Sequence, residues 1–268
     1  MAKAIFSGSI SFGLVNIPVK VYPAVKDKRV AFRTLHKECH TPLIHKRWCP
    51  TCNREVKLEE VEKGYQLSKD RFVVLTDEEL ERVQLKTLKV LEIIGFVDAA
   101  EIDPLYYDFP YLLEPQEGGE KAYTLLREIL SQTGKVAIGR VVMRNKEYVV
   151  VLRPYQKALL MVTLHYHDEI VSPEELENLK KVVVVREQEL KMGQLLIQQL
   201  VGEFKPEEFK DRYREAVMEL VRKKAEGEVI PVARAKEVEA TVDLMKALEA
   251  SLQQLKKKKE AEATATTA

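Results

Sequence analysis

The sequence lacks any apolar run long enough to cross a membrane. Its longest apolar stretches, such as residues 182–185 and 89–97, are too short or too interrupted by polar residues. No secretory apolar core opens the chain, so we expect a cytoplasmic protein. A length of 268 residues, with 46% apolar and 32% charged residues, is typical of one main globular domain with a tail.

Cysteine is also scarce, and its few copies are clustered. The chain has three cysteines, Cys39, Cys49 and Cys52, all within residues 36–54. An odd number of cysteines in a reducing compartment argues against disulfides. Cys49 and Cys52 are separated by two residues, a spacing that lets one tight turn direct both thiolates at one ion. The pattern predicts a structural zinc site, with free thiols and a redox pair as the alternatives.

The fourth zinc ligand is less clearly indicated than the other three. Three histidines, His36, His40 and His45, compete for that position beside Cys39. We predict His36, which gives the spacing His-x2-Cys-x9-Cys-x2-Cys and the ligand set His36, Cys39, Cys49 and Cys52. A catalytic zinc is disfavoured, because the sequence contains no His-Glu-x-x-His motif. No organic cofactor is predicted.

Net charge is only +1, but positive charge is concentrated in two segments. Residues 1–58, the first basic block, hold eleven Lys or Arg and three acids, a net charge of +8 that leaves −7 on the other 210 residues. Residues 132–165, the second basic block, hold six basic residues against Glu147 alone. Such segregation indicates a phosphate backbone as partner, with a solvated basic face as the alternative.

The hydrophobic pattern predicts a mainly β protein with helices. Ile17, Val19 and Val21 alternate with polar positions, which predicts an N-terminal strand with Pro18 at a sheet edge. Further strands are predicted at 72–75, 88–97, 136–144, 148–153 and 158–166. In the strand at 136–144, the two-residue period places Val136, Ile138, Arg140, Val142 and Arg144 on one face.

Helical patterns separate and follow these strands. Thr76 and Glu79 form a capping box that opens a short helix to about residue 84. A second helix is predicted at 122–132, ending at Gly134, and the chain becomes helical from Glu187 onward.

The C-terminal part changes character near Gly227. Residues 229–232 indicate an extended linker, and residues 256–259 and 261–268 are typical of disorder. Between them lies a narrow apolar stripe at helical spacing, which either docks on the protein's own core or inserts into a partner's groove. The stripe consists of Val238, Val242, Met245, Leu248, Leu252 and Leu255.

Several separated motifs together resemble the bacterial Ku family, in order from about Ala4 to Leu255. They are Gly-Ser-Ile-Ser-Phe-Gly-Leu-Val-Asn-Ile-Pro-Val-Lys-Val-Tyr at 8–22, Leu-His at 35–36, Lys-Gly-Tyr at 63–65, Tyr-Thr-Leu-Leu-Arg at 123–127 and Asp-Leu-Met-Lys-Ala-Leu at 243–248. The resemblance implies a Ku-type β-barrel core with a bridging arm that forms a ring in a homodimer, followed by a helical C-terminal region.

The resemblance also implies a function without catalysis. A Ku ring is threaded by a double-stranded DNA end without regard to sequence, and it recruits a multidomain ATP-dependent DNA ligase for non-homologous end joining in double-strand break repair. Residues 1–227 would be the core, 228–255 the ligase-recruiting helix and 256–268 a short basic tail. The ligase contacts would be Val242, Met245, Leu248 and Leu252, and the protein would act on the nucleoid.

A ring that slides over DNA needs phosphate contacts rather than base contacts. The candidates are basic residues near predicted strands and the cysteine segment, and any metal there would rigidify the loop that holds them. They are Lys20, Arg33, Lys46, Arg47, Arg54, Lys135, Arg140 and Arg144.

Two other functions compete with the end-binding ring. The first is a metal-dependent nuclease that uses the cysteine cluster or Asp98, Glu101 and Asp103, although acids just before Pro104 are more typical of a turn. The second is a zinc-ribbon adaptor that binds only proteins.

Overall fold

A computed structural model describes most of the chain, in two compact units, Met1–Ser172 and Pro173–Ala268. The described residues are 3–69, 71–83, 89–143, 146–181, 184–227 and 244–265, the last with side chains only to Gln254. The predicted domain boundary after residue 227 adjoins a segment outside this range and stays a prediction.

The described part of the first unit contains two α-helices, α1 (Asp77–Val83) and α2 (Glu120–Thr133), and eleven strands. The strands are β1 (Phe6–Phe12), β2 (Val15–Pro23), β3 (Trp48–Cys49), β4 (Arg54–Glu55), β5 (Lys63–Ser68), β6 (Arg71–Leu75), β7 (Val90–Asp98), β8 (Tyr107–Pro115), β9 (Lys135–Met143), β10 (Lys146–Tyr155) and β11 (Ala158–Leu164).

Seven of these strands close into a barrel in the order β1-β2-β8-β11-β10-β9-β7, which confirms the predicted barrel core. All neighbours are antiparallel except β7 and β1, which run parallel from Ser9↔Val90 to Ser11↔Glu92. A ring of seven strands cannot alternate direction at every step, so one parallel pair is required. Closure leaves this sheet without an exposed edge.

The barrel interior is filled by alternate residues of its strands. Ile17, Val19 and Val21 are each 2% exposed, while Lys20 between them is exposed, which confirms the predicted alternation in β2. Helix α2 contributes Tyr123, Leu126 and Leu130 to the same core. It ends at Gly134, whose positive φ of 67° suits a residue without a Cβ.

The edge position predicted for Pro18 is wrong, because β2 has strand neighbours on both sides. The proline is nevertheless tolerated. The ladder between β2 and β8 begins at Val19↔Pro115, one residue after Pro18, so its missing N–H interrupts no hydrogen bond to β8.

The outer surface of the barrel also carries an apolar cluster. Val136, Val151 and Val162 face outward on β9, β10 and β11, yet they are at most 7% exposed. Ile102, between the two single-turn helices that connect β7 to β8, and Tyr107, at the start of β8, pack against them. Burial on both faces explains the nearly continuous apolar sequence of these strands.

Residues 24–89, which we call the excursion, connect β2 to β7. They form two small hairpins, β3 with β4 and β5 with β6, followed by α1. The capping box of α1 is confirmed, because the Thr76 N–H donates to Glu79 Oε2 at 2.9 Å and the Glu79 N–H donates to Thr76 Oγ1 at 3.2 Å. No residue that the structure describes in the excursion is buried.

The second unit is helical, as predicted from Glu187 onward. Its α-helices in the described ranges are α3 (Glu187–Leu200), α4 (Arg212–Ala225) and α5 (Leu244–Ala265), and α3 contacts α5. Helix α5 continues through residues 256–265. The disorder predicted for residues 256–259 and 261–265 is therefore wrong. Lys, Glu and Ala are strong helix formers and extend the helix. No helix in the described ranges is long and apolar enough to span a membrane.

Candidate nucleic-acid interface

Two predicted DNA-binding residues lie on the outer face of the barrel. Lys20 on β2 lies opposite Glu114 in register, but Glu114 Oε2 accepts the Tyr22 hydroxyl at 2.7 Å. Arg140 on β9 is exposed and alternates with inward-facing neighbours, as predicted. Neither cation has an ion pair within the part of the chain that the structure describes. Arg144 lies outside the described residues.

A third barrel candidate, Lys135, is paired with an acid. Its Nζ lies 2.7 Å from Asp98 Oδ2, and the two residues are opposite each other in the ladder between β9 and β7. Both side chains are about half exposed, so solvent screens the pair. Lys135 therefore has less uncompensated charge for a phosphate than Arg140 on the same strand.

The predicted DNA-binding residues in the excursion also include both cations that pair with an acid and cations that do not. Lys46 and Arg54 are the paired ones. Lys46 Nζ lies 2.7 Å from Glu55 Oε2. Arg54 donates through both terminal nitrogens to the Glu60 carboxylate, at 2.7 and 3.1 Å. These bonds, together with the Lys57 N–H, lower the pKa of Glu60 from its ordinary value of 4.5 to about 2.

Arg33 and Arg47 differ from these two residues, because both are exposed and neither forms an ion pair with a described residue. The free candidates are thus Lys20, Arg33, Arg47 and Arg140. The charge count along the sequence does not separate them from the others, because it does not show which acid pairs with which cation: Glu60 and Asp98 lie outside the two basic blocks, and Glu55 lies inside the first.

One outward-facing cation was missed by the sequence reasoning. Arg153 on β10 alternates with the buried Leu152, is exposed, and has no ion pair in the described ranges. The two-residue period of β10 was the signal that could have identified it. We add Arg153 to the candidate phosphate contacts.

The acidic group before Pro104 makes structural contacts. Asp103 Oδ1 accepts the Leu105 N–H at 2.8 Å and caps the short helical turn Pro104–Tyr106. Asp98 holds Lys135, and Glu101 lies in the single-turn helix Ala99–Glu101. This agrees with the interpretation of these acids as turn residues.

The predicted zinc ligands form two separate pairs. His36 Nδ1 lies 3.1 Å from Cys39 Sγ, and the Cys52 N–H donates to Cys49 Sγ at 3.4 Å. No three His, Cys, Asp or Glu side chains of the described chain come together as a group that could hold a metal ion. The zinc site therefore stays a prediction.

The thiols differ in acidity. The N–H donated by Cys52 is the main cause that lowers the pKa of Cys49, and proximity to Cys49 raises the pKa of Cys52. Hydrogen bonding with Thr41 lowers the pKa of Cys39. Each ligand pair thus contains one cysteine whose pKa is lowered.

The predicted ligase contacts lie on α5. Met245, Leu248 and Leu252 are partly buried, and α5 contacts α3. The described part of α5 therefore packs on a helix of its own unit. Val242 lies outside the described residues, and partner binding through the other three stays a prediction.

Comparison with known proteins places these features in a family context. Residues 11–192 match the family described as the Ku70/Ku80 beta-barrel domain. The chain is also similar to several proteins named "Non-homologous end joining protein Ku". The one from Archaeoglobus fulgidus is 42% identical, over 95% of this chain and 100% of its own length.

Two further relatives carry the same name. The protein from Bacillus subtilis is 40% identical, over 92% of this chain and 80% of its own length. The protein from Symbiobacterium thermophilum is 45% identical over 93% of this chain. The alignment covers only 62% of that relative's own length, so part of it has no counterpart here.

Proposed function

The chain belongs to the Ku family, and we propose that it binds double-stranded DNA ends as a homodimeric ring during non-homologous end joining. The observation that carries the ring is the excursion, which leaves the barrel for 66 residues and buries no described residue. A segment of this length that buries none of its described residues in its own chain is suited to closing a ring with a second copy.

Exposed apolar side chains support the second copy as the excursion's partner. Phe32 is 70% exposed, Trp48 59% and Phe72 59%. Large aromatic side chains are enriched at interfaces between proteins. A homodimer would remove these side chains from water in both copies.

The free cations support DNA as the ligand. Lys20, Arg33, Arg47 and Arg140 are exposed and have no acidic partner among the described residues, so a phosphate can take that place. Such contacts release counterions and read no bases, which gives affinity that falls with salt and depends little on sequence. Preference for ends then comes from threading, because a closed circle cannot enter a closed ring.

We propose that binding involves no catalysis by this chain. The acids that a nuclease would use, Asp98 and Asp103, already hold Lys135 and the Leu105 N–H. In this account the protein acts in the cytoplasm, on the nucleoid, and leaves the joining reaction to a ligase.

Gel-shift titration of linear duplexes against covalently closed minicircles of the same sequence tests the proposal. Linear DNA should be bound, with further shifted bands as the fragment is lengthened, and minicircles should not. Equal affinity for both would contradict the ring. Absence of any salt-dependent affinity for DNA would favour the adaptor that binds only proteins.

We further propose that α5 recruits an ATP-dependent DNA ligase through Val242, Met245, Leu248 and Leu252. Met245, Leu248 and Leu252 share a partly buried face, so a ligase groove would replace α3 as the surface that covers it. Recruitment would thus exchange one helix contact for another.

Truncation after Gly227 tests the recruitment. The truncated protein should bind DNA ends as the full chain does, but should no longer stimulate ligation by the partner ligase. The substitution Leu248→Ala should weaken stimulation, whereas Glu249→Ala, at an exposed neighbouring position, should not. Full stimulation by the truncated protein would refute the assignment.

A further inference from the structure

We propose that Lys146 is a further phosphate contact of the DNA-binding surface, and that His165 controls its availability through Glu169. While His165 is neutral, the carboxylate of Glu169 balances the charge of Lys146. When His165 gains a proton, one carboxylate faces two cations, and the excess positive charge is available to a phosphate. The inference rests on the proposed DNA binding and adds to it a dependence on pH.

The three side chains meet at one end of the barrel, where β10 begins and β11 ends. Lys146 is the first residue of β10, and His165 directly follows the last residue of β11. Glu169 lies in the single-turn helix His167–Glu169 that comes next. Its Oε1 lies 3.3 Å from Lys146 Nζ, and its Oε2 lies 3.6 Å from His165 Nδ1. One carboxylate is therefore shared by the lysine and the histidine.

The turn that follows β11 holds the shared carboxylate in position. Glu169 Oε2 accepts the Tyr166 N–H at 2.9 Å, and the His165 N–H donates to Tyr106 O at 2.8 Å. The Tyr166 N–H and the hydrogen bond from Lys146 lower the pKa of Glu169. Glu169 therefore stays ionised over the range in which histidine side chains change their charge, about pH 5–8.

The ion pair between Lys146 and Glu169 is loose enough to open. At 3.3 Å it is longer than the pairs that Lys46 and Lys135 form with their acids, both at 2.7 Å. Both side chains are about half exposed, so solvent weakens their attraction. Lys146 Nζ also lies 5.4 Å from the centre of the Tyr148 ring, a cation–π contact that supports the amine when the ion pair opens.

The shared carboxylate adjoins the basic surface of the barrel. Burial is the main cause that raises the pKa of Tyr166, and the nearby charges of Arg140 and Lys146 act in the opposite direction. The Tyr166 hydroxyl donates to Glu147 O, next to Lys146 in the chain, at 3.3 Å. A duplex that contacts Arg140 would therefore find a second cation beside it once Lys146 is released.

The other titratable groups near His165 come from four parts of the chain. They are His167 and Asp168 in its own turn, Glu147 and Tyr148 on β10, Arg140 on β9, and Tyr106 in the turn before β8. His167 Nδ1 lies 3.0 Å from the Tyr106 hydroxyl. Within the described ranges, Glu169 is the acid that forms an ion pair with His165. A change of charge at His165 therefore acts on Glu169 first.

Filter binding of a linear duplex across a salt series, at about pH 8 and about pH 6, tests the switch. The unmodified protein should have a steeper slope of log affinity against log salt at the lower pH, by about 0.9 for each copy of Lys146 that gains a phosphate. The other histidines also gain charge, so the comparison between variants decides the outcome. His165→Gln should lose the contribution of Lys146, whereas His167→Gln, the matched control, should retain the steeper slope.

Three further variants test the exchange itself. Lys146→Gln should lose the additional slope at the lower pH, and combining it with His165→Gln should cost no more, because both act on one phosphate contact. Glu169→Gln, whose amide oxygen can still accept the Tyr166 N–H, leaves Lys146 free at both pH values. Its affinity at the higher pH should therefore exceed that of the unmodified protein. Circular dichroism at both pH values checks that each variant is folded.

Retention on heparin, a polyanion without base pairs, separates this inference from the proposed function. A pH response on heparin that depends on His165, without preference for linear DNA over minicircles, would count against the ring alone. End preference with an equal pH response in His165→Gln and the unmodified protein would overturn the switch. So would a full response in Lys146→Gln, which would make His165 itself the phosphate contact. Failure to bind either polyanion at both pH values would overturn both.

Discussion

The barrel and the excursion are neighbouring parts of one chain, but they are held together by different forces. The barrel buries Ile10, Val150, Leu159 and Met161 completely. The excursion has ordered hairpins and a capped helix, yet none of its described residues is buried. The barrel can therefore fold on its own contacts, whereas in our account a second copy covers the excursion.

This difference suggests how the two regions share the function. A closed, densely packed barrel supplies a rigid surface on which Lys20, Arg140 and Arg153 keep fixed positions. A segment without a core can rearrange when DNA, metal or another copy binds, because few buried contacts resist the change. In our account the barrel positions charge and the excursion closes the ring.

The largest expected effect comes from truncating a buried side chain, which should destabilise the barrel much more than the same change destabilises the excursion. Leu152→Ala in the barrel should lower the free energy of unfolding by about 2–5 kcal/mol, because it leaves a cavity in a fully packed site. Leu58→Ala in the excursion, where Leu58 is 67% exposed, should change it by less than about 0.5 kcal/mol. Urea unfolding monitored by circular dichroism measures both, and equal losses would contradict the comparison.

A second substitution sharpens the description of the barrel core. The Tyr123 hydroxyl donates to Leu113 O and accepts the Leu159 N–H, both at 2.6 Å, and so joins α2 to β8 and β11. Tyr123→Phe leaves both backbone groups unpaired, and we expect a loss of about 1–3 kcal/mol in unfolding free energy. Tyr155→Phe, on the exposed end of β10, should be nearly neutral by the same urea assay. A neutral Tyr123→Phe would show that water replaces the hydroxyl.

The third prediction concerns free and paired cations on one strand. Arg140→Gln should weaken DNA binding and reduce the slope of log affinity against log salt by about 0.9 for each lost phosphate contact. Lys135→Gln should have the smaller effect, because Asp98 already offsets the charge of Lys135. Filter binding across a salt series measures both slopes. The reverse order would show that the ion pair opens to bind DNA.

The smallest effect is expected from the ion pair between Arg54 and Glu60. Because its folded pKa of about 2 lies below the ordinary value of 4.5, Glu60 stabilises the excursion fully above pH 4.5 and loses this contribution as the pH falls toward 2. Trp48 fluorescence should follow this loss, and Glu60→Gln should remove it. Glu59→Gln is the matched control and should titrate as the unmodified protein does.

The sequence predicts single strands, turns and helices better than it predicts which strands pair, because the signals for single elements are local. The period of two in residues 17–21, the capping box at Thr76 and the glycine at position 134 each depend on a few neighbouring residues. The parallel pairing of β1 with β7 joins residues about 80 positions apart, and no local pattern encodes it. The edge position predicted for Pro18 is wrong for a similar reason, because the pairing of β2 with β8 joins Val19 to the distant Pro115.

The sequence predicts which types of residue form the candidate interface, but not which of these residues are free of an acidic partner. The basic blocks identified the right kind of residue, whereas the ion pairs of Lys135 with Asp98 and Arg54 with Glu60 depend on folding. Arg153 is not among the predicted contacts, because the net charge of a segment does not show which face of a strand a residue occupies. Likewise, the apolar stripe alone does not predict that α5 packs on α3.

An order-of-addition experiment tests the ring most directly. Protein is loaded on a linear plasmid, the ends are joined by a ligase, and the circle is washed with high salt; a second sample receives protein only after closure. Threading predicts that protein stays on the first circle until a restriction enzyme cuts it, and never binds the second. Equal retention on both circles, or release from the first by salt alone, would contradict a closed ring.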